Sequence, residues 1–169
     1  MREAPAFKPG SHHMKVKTAL VGLWLMFLVW VFLPYTFIRL NQFFGLPVFI
    51  LPLLVKITGL LLIGLALFVD VYLLVLFKIF GKGTPVPVEP AKRLIAVGLY
   101  TKTRNPMYLG HLAIYLGLFL YLGHWALFWL FLVLAGGLHL LVIKWEEPGL
   151  KKRLGKEYFD YLKKVPRWI

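Results

Sequence analysis

Long apolar runs alternate with short polar segments along the 169 residues of this chain. Each run is near the length of one bilayer crossing, which takes about 20 apolar residues in a helix. The pattern therefore predicts an all-α, polytopic membrane protein with about four transmembrane helices. The predicted spans are residues 18–38, one crossing within 48–77, then 106–122 and 125–145. Because the second run exceeds one crossing, its helix either begins near Pro52, tilts, or carries an interfacial lead-in.

We expect one domain made of three segments. Residues 1–14 end in Gly-Ser-His-His-Met, which looks like vector-derived sequence, so we treat them as a tag or disordered tail. Residues 15–80 hold the first two spans, and residues 81–169 hold a loop, a helical hairpin and a C-terminal amphipathic helix. The apolar positions of that last helix recur every three or four residues among lysines and arginines: Leu150, Leu154, Tyr158, Tyr161 and Val165. Such a helix is typical of an anionic lipid surface.

The loop from Gly81 to Thr103 carries prolines at positions 85, 87 and 90. Prolines at this spacing exclude a helix and force extended or polyproline geometry over residues 81–90. Such a loop is either a rigid connector or a cover over a ligand, and the sequence leaves both open.

Composition supports the membrane setting, since 60% of the residues are apolar and 16% are charged. In soluble domains, apolar residues average about 45–50% and charged residues about 25%. The chain has no cysteine, which excludes disulfides and thiolate nucleophiles, and no His, Asp and Glu spacing indicates a metal site.

The net charge of +13 reflects topology and lipid headgroup contact rather than nucleic acid, because the bases flank apolar runs. With both termini cytoplasmic, every Lys and Arg except Arg39 and Lys56 lies on the cytoplasmic side. The positive-inside rule therefore predicts a multi-pass protein in that orientation.

The third and fourth spans form a hairpin whose polar ends should return to one membrane surface. Arg104 precedes the hairpin, and Glu146-Glu147-Pro148 closes it, so we expect Glu146 beside Arg104. Pro148 should stop the fourth helix just before it and begin another. Adjacent acids at the negative end of their own helix need compensation by Arg104, Lys144 or a cationic ligand.

The third helix should begin at Asn105-Pro106, because Asn is a good N-cap and Pro is favoured at the first helical position. Its first free N–H groups form a partly positive site suited to a carboxylate. Gly110 leaves room for a ligand or another backbone. The residues that supply these amides are Met107, Tyr108 and Leu109.

Several motifs in the C-terminal half resemble those of isoprenylcysteine carboxyl methyltransferases and phospholipid methyltransferases. They are Gly83-Thr84-Pro85, Gly98-Leu99-Tyr100, the segment from Arg104 to Gly110, Glu146-Glu147, Gly155-Lys156-Glu157-Tyr158 and Val165-Pro166-Arg167. The family pattern is Arg-His-Pro, whereas this chain has Asn105 at the position of the histidine. Many bacterial-type members look like they carry Asn at this position. The chain therefore resembles a prokaryotic member of the family, which implies a location in a prokaryotic cell membrane.

The resemblance implies S-adenosylmethionine bound between the last helices near the cytoplasmic face. A lipid-soluble acceptor would enter from the bilayer: a prenylcysteine carboxylate, a phospholipid amine or another isoprenoid. Arg104 and Glu146 are the candidate catalytic residues. Arg104 suits the carboxylate of the cofactor, Glu146 or Glu147 its ammonium, and Tyr100 or Tyr108 its adenine or sulfonium. The candidate cofactor-binding set is Tyr100, Arg104, Asn105, Pro106, Met107, Tyr108, Leu109, Gly110, His139, Glu146 and Glu147.

Asp70 and His139 are polar residues inside predicted spans, at equal depth below the cytoplasmic edge. A contact between them is a hypothesis, and a functional or a structural role stays open. If they do not meet, His139 should line the pocket above Glu146, since seven residues are close to two helical turns. We expect His111 and His124 to be packing and interfacial residues.

Two other functions remain open from the sequence. Sterol reductases look similar in the C-terminal region, which would make the chain a nicotinamide-dependent membrane reductase. The fold could also serve a non-catalytic lipid-binding protein. Cofactor binding by the purified protein separates these functions from methyl transfer.

Overall fold

The computed structural model describes residues 16–86 and 89–169. Over these residues the fold is helical, with isolated bridges but no strand, as the all-α prediction requires. The helices are α1 (Val16–Phe43), α2 (Leu53–Gly81), α3 (Pro106–Leu122), α4 (Trp125–Leu154) and α5 (Lys156–Lys164), with a 3-10 turn at Gly98–Thr101. The interpretation of residues 1–14 lies outside the described part.

The helices α1, α2 and α4 are long and apolar enough to cross a membrane, and α3 is a shorter apolar helix. At 1.5 Å per residue, its 17 residues reach about 25 Å. The chain is thus an integral membrane protein with an apolar hairpin. Helix α2 begins just after Pro52, the first of the three predicted alternatives. Helix α1 extends beyond the predicted span at both ends.

The fourth helix does not stop before Pro148, so that prediction is wrong. A π-turn at Val142–Glu146, in which the Glu147 N–H bonds to the Val142 carbonyl, precedes the proline. A proline ring in a regular α-helix collides with the carbonyl four residues earlier. The wider turn relieves this crowding, and the helix continues to Leu154.

Helices α2 and α3 pack closely through glycines. A Cβ atom on Gly59 would stand 2.7 Å from the Gly117 carbonyl oxygen, and one on Gly117 would stand 2.7 Å from that of Gly59. In a bilayer there is no hydrophobic driving force between helices, so their association depends on close packing, which small residues allow. This crossing fixes α3 against α2 in the half of the molecule away from the polar residues.

The loop between α1 and α2 is fixed to the turn between α3 and α4. The Phe49 N–H donates to the Gly123 carbonyl at 2.9 Å. Asn41, fully buried on α1, accepts a hydrogen bond from the Ala126 N–H at 2.8 Å and thereby supplies a side-chain partner to the start of α4. These contacts hold both connections at one end of the bundle and leave the polar hairpin ends at the other.

The predicted amphipathic helix over residues 150–165 is interrupted at Gly155, so Leu150 and Leu154 lie at the end of α4 and only Tyr158 and Tyr161 lie on α5. Helix α5 is amphipathic, and its apolar face packs against other parts of the protein. Tyr158, Tyr161 and Val165 are buried against the loop and the end of α4. The Tyr161 hydroxyl donates to the Tyr100 carbonyl at 2.6 Å. A contact between the basic face of α5 and anionic lipid stays a prediction.

Candidate active site

A cavity of about 200 Å³ lies where the end of α2, the start of α3 and the end of α4 meet the loop between α2 and α3. We call it the polar cavity. The predicted site residues that line it are Tyr100, Arg104, Asn105, Met107, Tyr108, Glu146 and Glu147. The hairpin therefore returns its two polar ends to one place, as its length predicts.

The other predicted site residues do not line this cavity: Pro106, Leu109, Gly110 and His139. Pro106 and Gly110 are buried in the packing of α3. A Cβ atom on Gly110 would stand 2.8 Å from Asp70 Oδ1, so this glycine makes room for α2. His139 Nδ1 lies 3.0 Å from the Trp168 Nε1 donor, and the two rings stack.

Glu147 is held by two arginines. Arg104 Nη1 donates to its Oε1 at 3.0 Å, while Arg167 donates through Nε to Oε1 at 2.7 Å and through Nη2 to Oε2 at 3.1 Å. The bond to Glu147 raises the pKa of Arg167 above its ordinary value, so this guanidinium stays charged. We call these three side chains the Glu147 cluster. The two arginines supply the charge compensation that Glu147 requires.

Glu146 has a different environment from its neighbour. Its carboxylate interacts with the Tyr108 hydroxyl, and its Oε2 is buried without a hydrogen-bond partner among the described residues. Arg104 Nε is likewise buried and unpartnered there. Buried polar atoms are nearly always satisfied, so unpaired atoms of opposite charge in one cavity indicate a ligand with both a donor and an acceptor.

The C-terminal segment braces the start of α3. The Arg104 N–H donates to the Pro166 carbonyl at 3.0 Å, and Asn105 Nδ2 donates to the Arg167 carbonyl at 2.9 Å. Helix α3 begins at Pro106 as predicted, but the Asn105 side chain makes no capping bond, which corrects the capping hypothesis. Its amide is already engaged by a segment 62 residues away in the chain.

Tyrosines from the loop and α5 form one wall of the polar cavity. Burial raises the pKa of Tyr161 to about 12, with a further contribution from neighbouring Tyr158. Burial also raises the pKa of Tyr100 and of Tyr158 above the ordinary value. These hydroxyl groups therefore stay protonated near neutral pH and remain hydrogen-bond donors.

A second cavity, of about 640 Å³, lies between α1, α2 and the loop. We call it the apolar cavity, since its walls are mainly aliphatic and aromatic. It shares wall residues with the polar cavity: Phe77, Thr84, Pro85 and Met107. The loop therefore contributes to both cavities, as a cover would.

The predicted contact between Asp70 and His139 is wrong. Asp70 Oδ2 lies 3.4 Å from His111 Nδ1, on the wall of the apolar cavity. His139 meets Trp168 instead and lines neither cavity, so the alternative place above Glu146 is also wrong. Equal depth in a membrane fixes the height of a residue but not the helix face on which it lies.

The sequence model of a known protein family matches most of the chain. The phospholipid methyltransferase model matches residues 54–157, which cover α3, α4 and all of α2 except its first residue. The chain belongs to the phospholipid methyltransferase family. It is therefore a membrane methyltransferase for lipid-like substrates. Searches among curated proteins and among solved structures gave no match.

The structure adds residues to the candidate site that the sequence analysis did not assign to it. Arg167 and Tyr158 belong to motifs noted in the sequence, yet neither was assigned to the site. Arg167 could have been sought from the adjacent acids, since two neighbouring carboxylates favour more than one nearby cation. Asp70 and His111, which line the apolar cavity, lie inside the family match. Over residues 16–86 and 89–169, no group of three His, Asp or Glu side chains could hold a metal ion.

Proposed function

We propose that this protein transfers a methyl group from S-adenosylmethionine to a lipophilic acceptor at the cytoplasmic membrane face. The observation that carries the proposal is the pair of adjoining cavities. One offers buried, unpartnered atoms of opposite charge on Glu146 and Arg104, and the other has the volume of a small-molecule site, which is about 300–1,000 Å³. Met107 and Phe77 belong to the wall between them.

The polar cavity suits the amino-acid end of the cofactor. Glu146 Oε2 would accept a hydrogen bond from its ammonium, and Arg104 Nε would donate to its carboxylate. Tyr100 and Tyr108 offer aromatic faces for adenine or for the sulfonium. When bound, the cofactor supplies an electrophilic methyl group, and the residues of this chain hold and align the reactants.

Within the Glu147 cluster, Glu147 and Arg167 act through position rather than contact with the cofactor. Because Glu147 already accepts bonds from two arginines, it has little capacity left for an ammonium. It holds Arg104 at the cavity, and Arg167 ties the C-terminal segment to the same point. Glu146 is therefore our candidate for cofactor recognition, whereas the sequence alone left both glutamates open.

The apolar cavity suits the hydrocarbon part of the acceptor. Residues of α1 such as Leu23, Met26 and Val29 form one wall, and Leu74 and Phe77 of α2 form another. With the termini on the cytoplasmic side, the polar cavity faces the cytoplasm, where the cofactor is dissolved. The acceptor would reach the apolar cavity from the bilayer of a prokaryotic cell membrane.

Calorimetry of S-adenosylmethionine binding to the purified protein in nanodiscs tests this proposal. Glu146→Gln should weaken binding by about 10-fold to 100-fold, the usual effect of losing a charged hydrogen bond. Glu157→Gln, which removes the same charge from an exposed position on α5, should bind as the wild type does. Absence of binding by the wild type, or equal affinity in both variants, would overturn the proposal. Mass spectrometry of a lipid extract incubated with labelled cofactor then identifies the acceptor.

A further inference from the structure

We propose that the N-terminal half of α1, Val16–Phe27, is a lateral gate through which the lipophilic acceptor enters the apolar cavity. This inference rests on the proposed methyl transfer and assigns a route to its acceptor. The gate has three parts. They are a half-helix that moves, a hinge at the π-turn Leu28–Phe32, and a latch formed by Thr18 and Glu89.

The two halves of α1 differ in how they pack. Val29 and three later side chains of α1 pack against a buried cluster of α3 and α4 that includes Tyr115. Asn41, near the end of α1, is fully buried as well. Between Val16 and Phe27, by contrast, Thr18 alone is buried. Segments with few buried contacts open at the lowest cost in free energy, so the N-terminal half is the part of α1 that can move.

This half of α1 separates the apolar cavity from the bilayer. Ala19, Gly22 and Met26 recur every three or four residues and line the cavity. Leu20 and Trp24 are each 61% exposed, so they face lipid in a membrane. The wall is therefore one helix thick, and its outward movement connects the cavity with the bilayer.

A π-turn and a proline form the hinge. The Leu33 N–H bonds to the Leu28 carbonyl five residues earlier, so the next bond of this kind would join position 34 to the Val29 carbonyl. Position 34 is Pro34, which has no N–H. Helices bend at prolines and π-turns because both interrupt the regular hydrogen bonds. The interruption lies where the packed half of α1 meets the N-terminal half.

Tyr115 fixes the pivot of this hinge. Its hydroxyl donates to the Val29 carbonyl and so replaces the N–H that Pro34 lacks. Tyr115 is 1% exposed and lies on α3, which packs closely against α2. Since a carbonyl without a donor is costly in a buried place, this bond holds the hinge against the bundle. The N-terminal half can then move about a fixed point while the remainder of α1 stays packed.

The latch joins the gate to the loop between α2 and α3. The Thr18 hydroxyl donates to Glu89 Oε2 at 3.0 Å. The Glu89 carbonyl accepts from the Thr84 N–H at 2.8 Å and from the Thr84 hydroxyl at 3.0 Å. The Lys92 N–H donates to the Gly81 carbonyl at 2.8 Å, which ties the loop to the end of α2. The loop is therefore the fixed side of the latch, and α1 is the moving side.

The strength of such a latch suits a gate that must open. A hydrogen bond to a charged group shifts an equilibrium by about 10-fold to 100-fold. This is enough to favour the closed form, and it leaves a minor open population for the acceptor to enter.

Spin-label distances in nanodiscs without the cofactor test the gate. The chain has no native cysteine, so introduced cysteines are labelled specifically. The gate pair is Leu20→Cys and Val71→Cys, which lie at exposed positions on α1 and α2. The control pair is Tyr35→Cys, beyond the hinge, and Leu61→Cys on α2. Double electron–electron resonance should give a major and a minor distance for the gate pair and one distance for the control pair.

Two substitutions should shift the minor population in opposite directions. Thr18→Val removes the latch and should raise this population about 10-fold. Thr58→Val is the matched control, because the Thr58 hydroxyl bonds to the Leu54 carbonyl of its own helix. Pro34→Ala restores an N–H, so it should lower the raised population when it is added to Thr18→Val. An unchanged gate distance in Thr18→Val, or an equal change in the control pair, overturns the inference.

A disulfide across the closed gate tests whether turnover needs the opening. A Cβ atom on Gly22 would stand 3.3 Å from Val86 Cγ2, close to the roughly 3 Å between a Cβ atom and the opposite sulfur in a disulfide. Gly22→Cys with Val86→Cys, oxidised by copper phenanthroline, should transfer labelled methyl groups to a lipid extract about 10-fold more slowly or less. Dithiothreitol should restore the rate. The affinity for S-adenosylmethionine should not change, since neither residue lines the polar cavity.

The outcomes separate the gate from the proposed function. If the wild type transfers no methyl group, the methyltransferase proposal fails, while the spin-label distances still decide the gate. If the oxidised variant transfers methyl groups as fast as the reduced one, the gate is not the route and the inference is overturned. A cysteine pair that does not oxidise would show that Gly22 and Val86 do not meet, which also contradicts the closed gate.

Discussion

Replacing Glu147 with Gln should destabilise the protein, although the change is nearly isosteric. The Glu147 side chain is 8% exposed, and those of Arg104 and Arg167 are 11% and 31% exposed. An amide can accept from one guanidinium, but its NH₂ group then faces the other arginine. Removing one partner of a buried ion pair costs about 3–5 kcal/mol, and we expect the lower end, about 3 kcal/mol. The loss of stability is at the lower end because the glutamine side-chain oxygen can still accept one bond and because Arg167 is partly exposed.

Thermal unfolding in one detergent measures this effect. For a chain of this length, about 3 kcal/mol corresponds to a fall in Tm of roughly 6–12 °C. Glu146→Gln is the matched comparison, because it changes the adjacent acid, which accepts no bond from an arginine in the described part of the chain. It should leave Tm nearly unchanged while weakening cofactor binding. Equal Tm values for wild type and Glu147→Gln, or a larger fall for Glu146→Gln, would refute the separate roles of the two acids.

Two further substitutions test the packing and the brace by the same unfolding measurement. Gly117→Ala should lose about 1–3 kcal/mol of stability, because the new methyl group would stand 2.7 Å from the Gly59 carbonyl oxygen. Gly136→Ala is the control, since no described residue lies within 4 Å of its Cβ position, and equal loss in both would contradict the close crossing. Asn105→Asp should lose about 1–3 kcal/mol, because a carboxylate cannot donate to the Arg167 carbonyl. Wild-type stability with Asp would restore the capping hypothesis, since Asp is a good N-cap.

Apolar run length predicted much of the fold. Helices α3 and α4 begin at Pro106 and Trp125 as predicted, and α2 begins just after Pro52. These features depend on local properties: the bilayer sets a span length, and proline sets where a helix can begin. The return of Arg104 and the acids to one cavity also follows from length, because two crossings return the chain to one surface. The acid that Arg104 bonds is Glu147, however, and not Glu146 as expected.

Contacts between distant segments could not be predicted in the same way. The motif Val165-Pro166-Arg167 was noted, but nothing local shows that its carbonyls accept bonds from Arg104 and Asn105. Asn105 is an acceptable cap by its residue type. Only the tertiary position of the C-terminal segment decides that its amide serves as a donor instead. A residue's propensity reflects interactions with its neighbours in sequence. The contact with Asn105 comes instead from Arg167, which is distant in sequence.

The π-turn before Pro148 explains why the two glutamates differ and why His139 lies away from the cavity. In a regular α-helix, Glu146 follows His139 by nearly two turns, so the two would share a face. The π-turn at Val142–Glu146 places an extra residue between them, which rotates the later side chains by about 100°. Glu146 then faces the polar cavity, Glu147 faces the arginines, and His139 stays on the outer face with Trp168. The apolar periodicity of 3.6 residues does not predict this π-turn, although the sequence contains Pro148, which favours it.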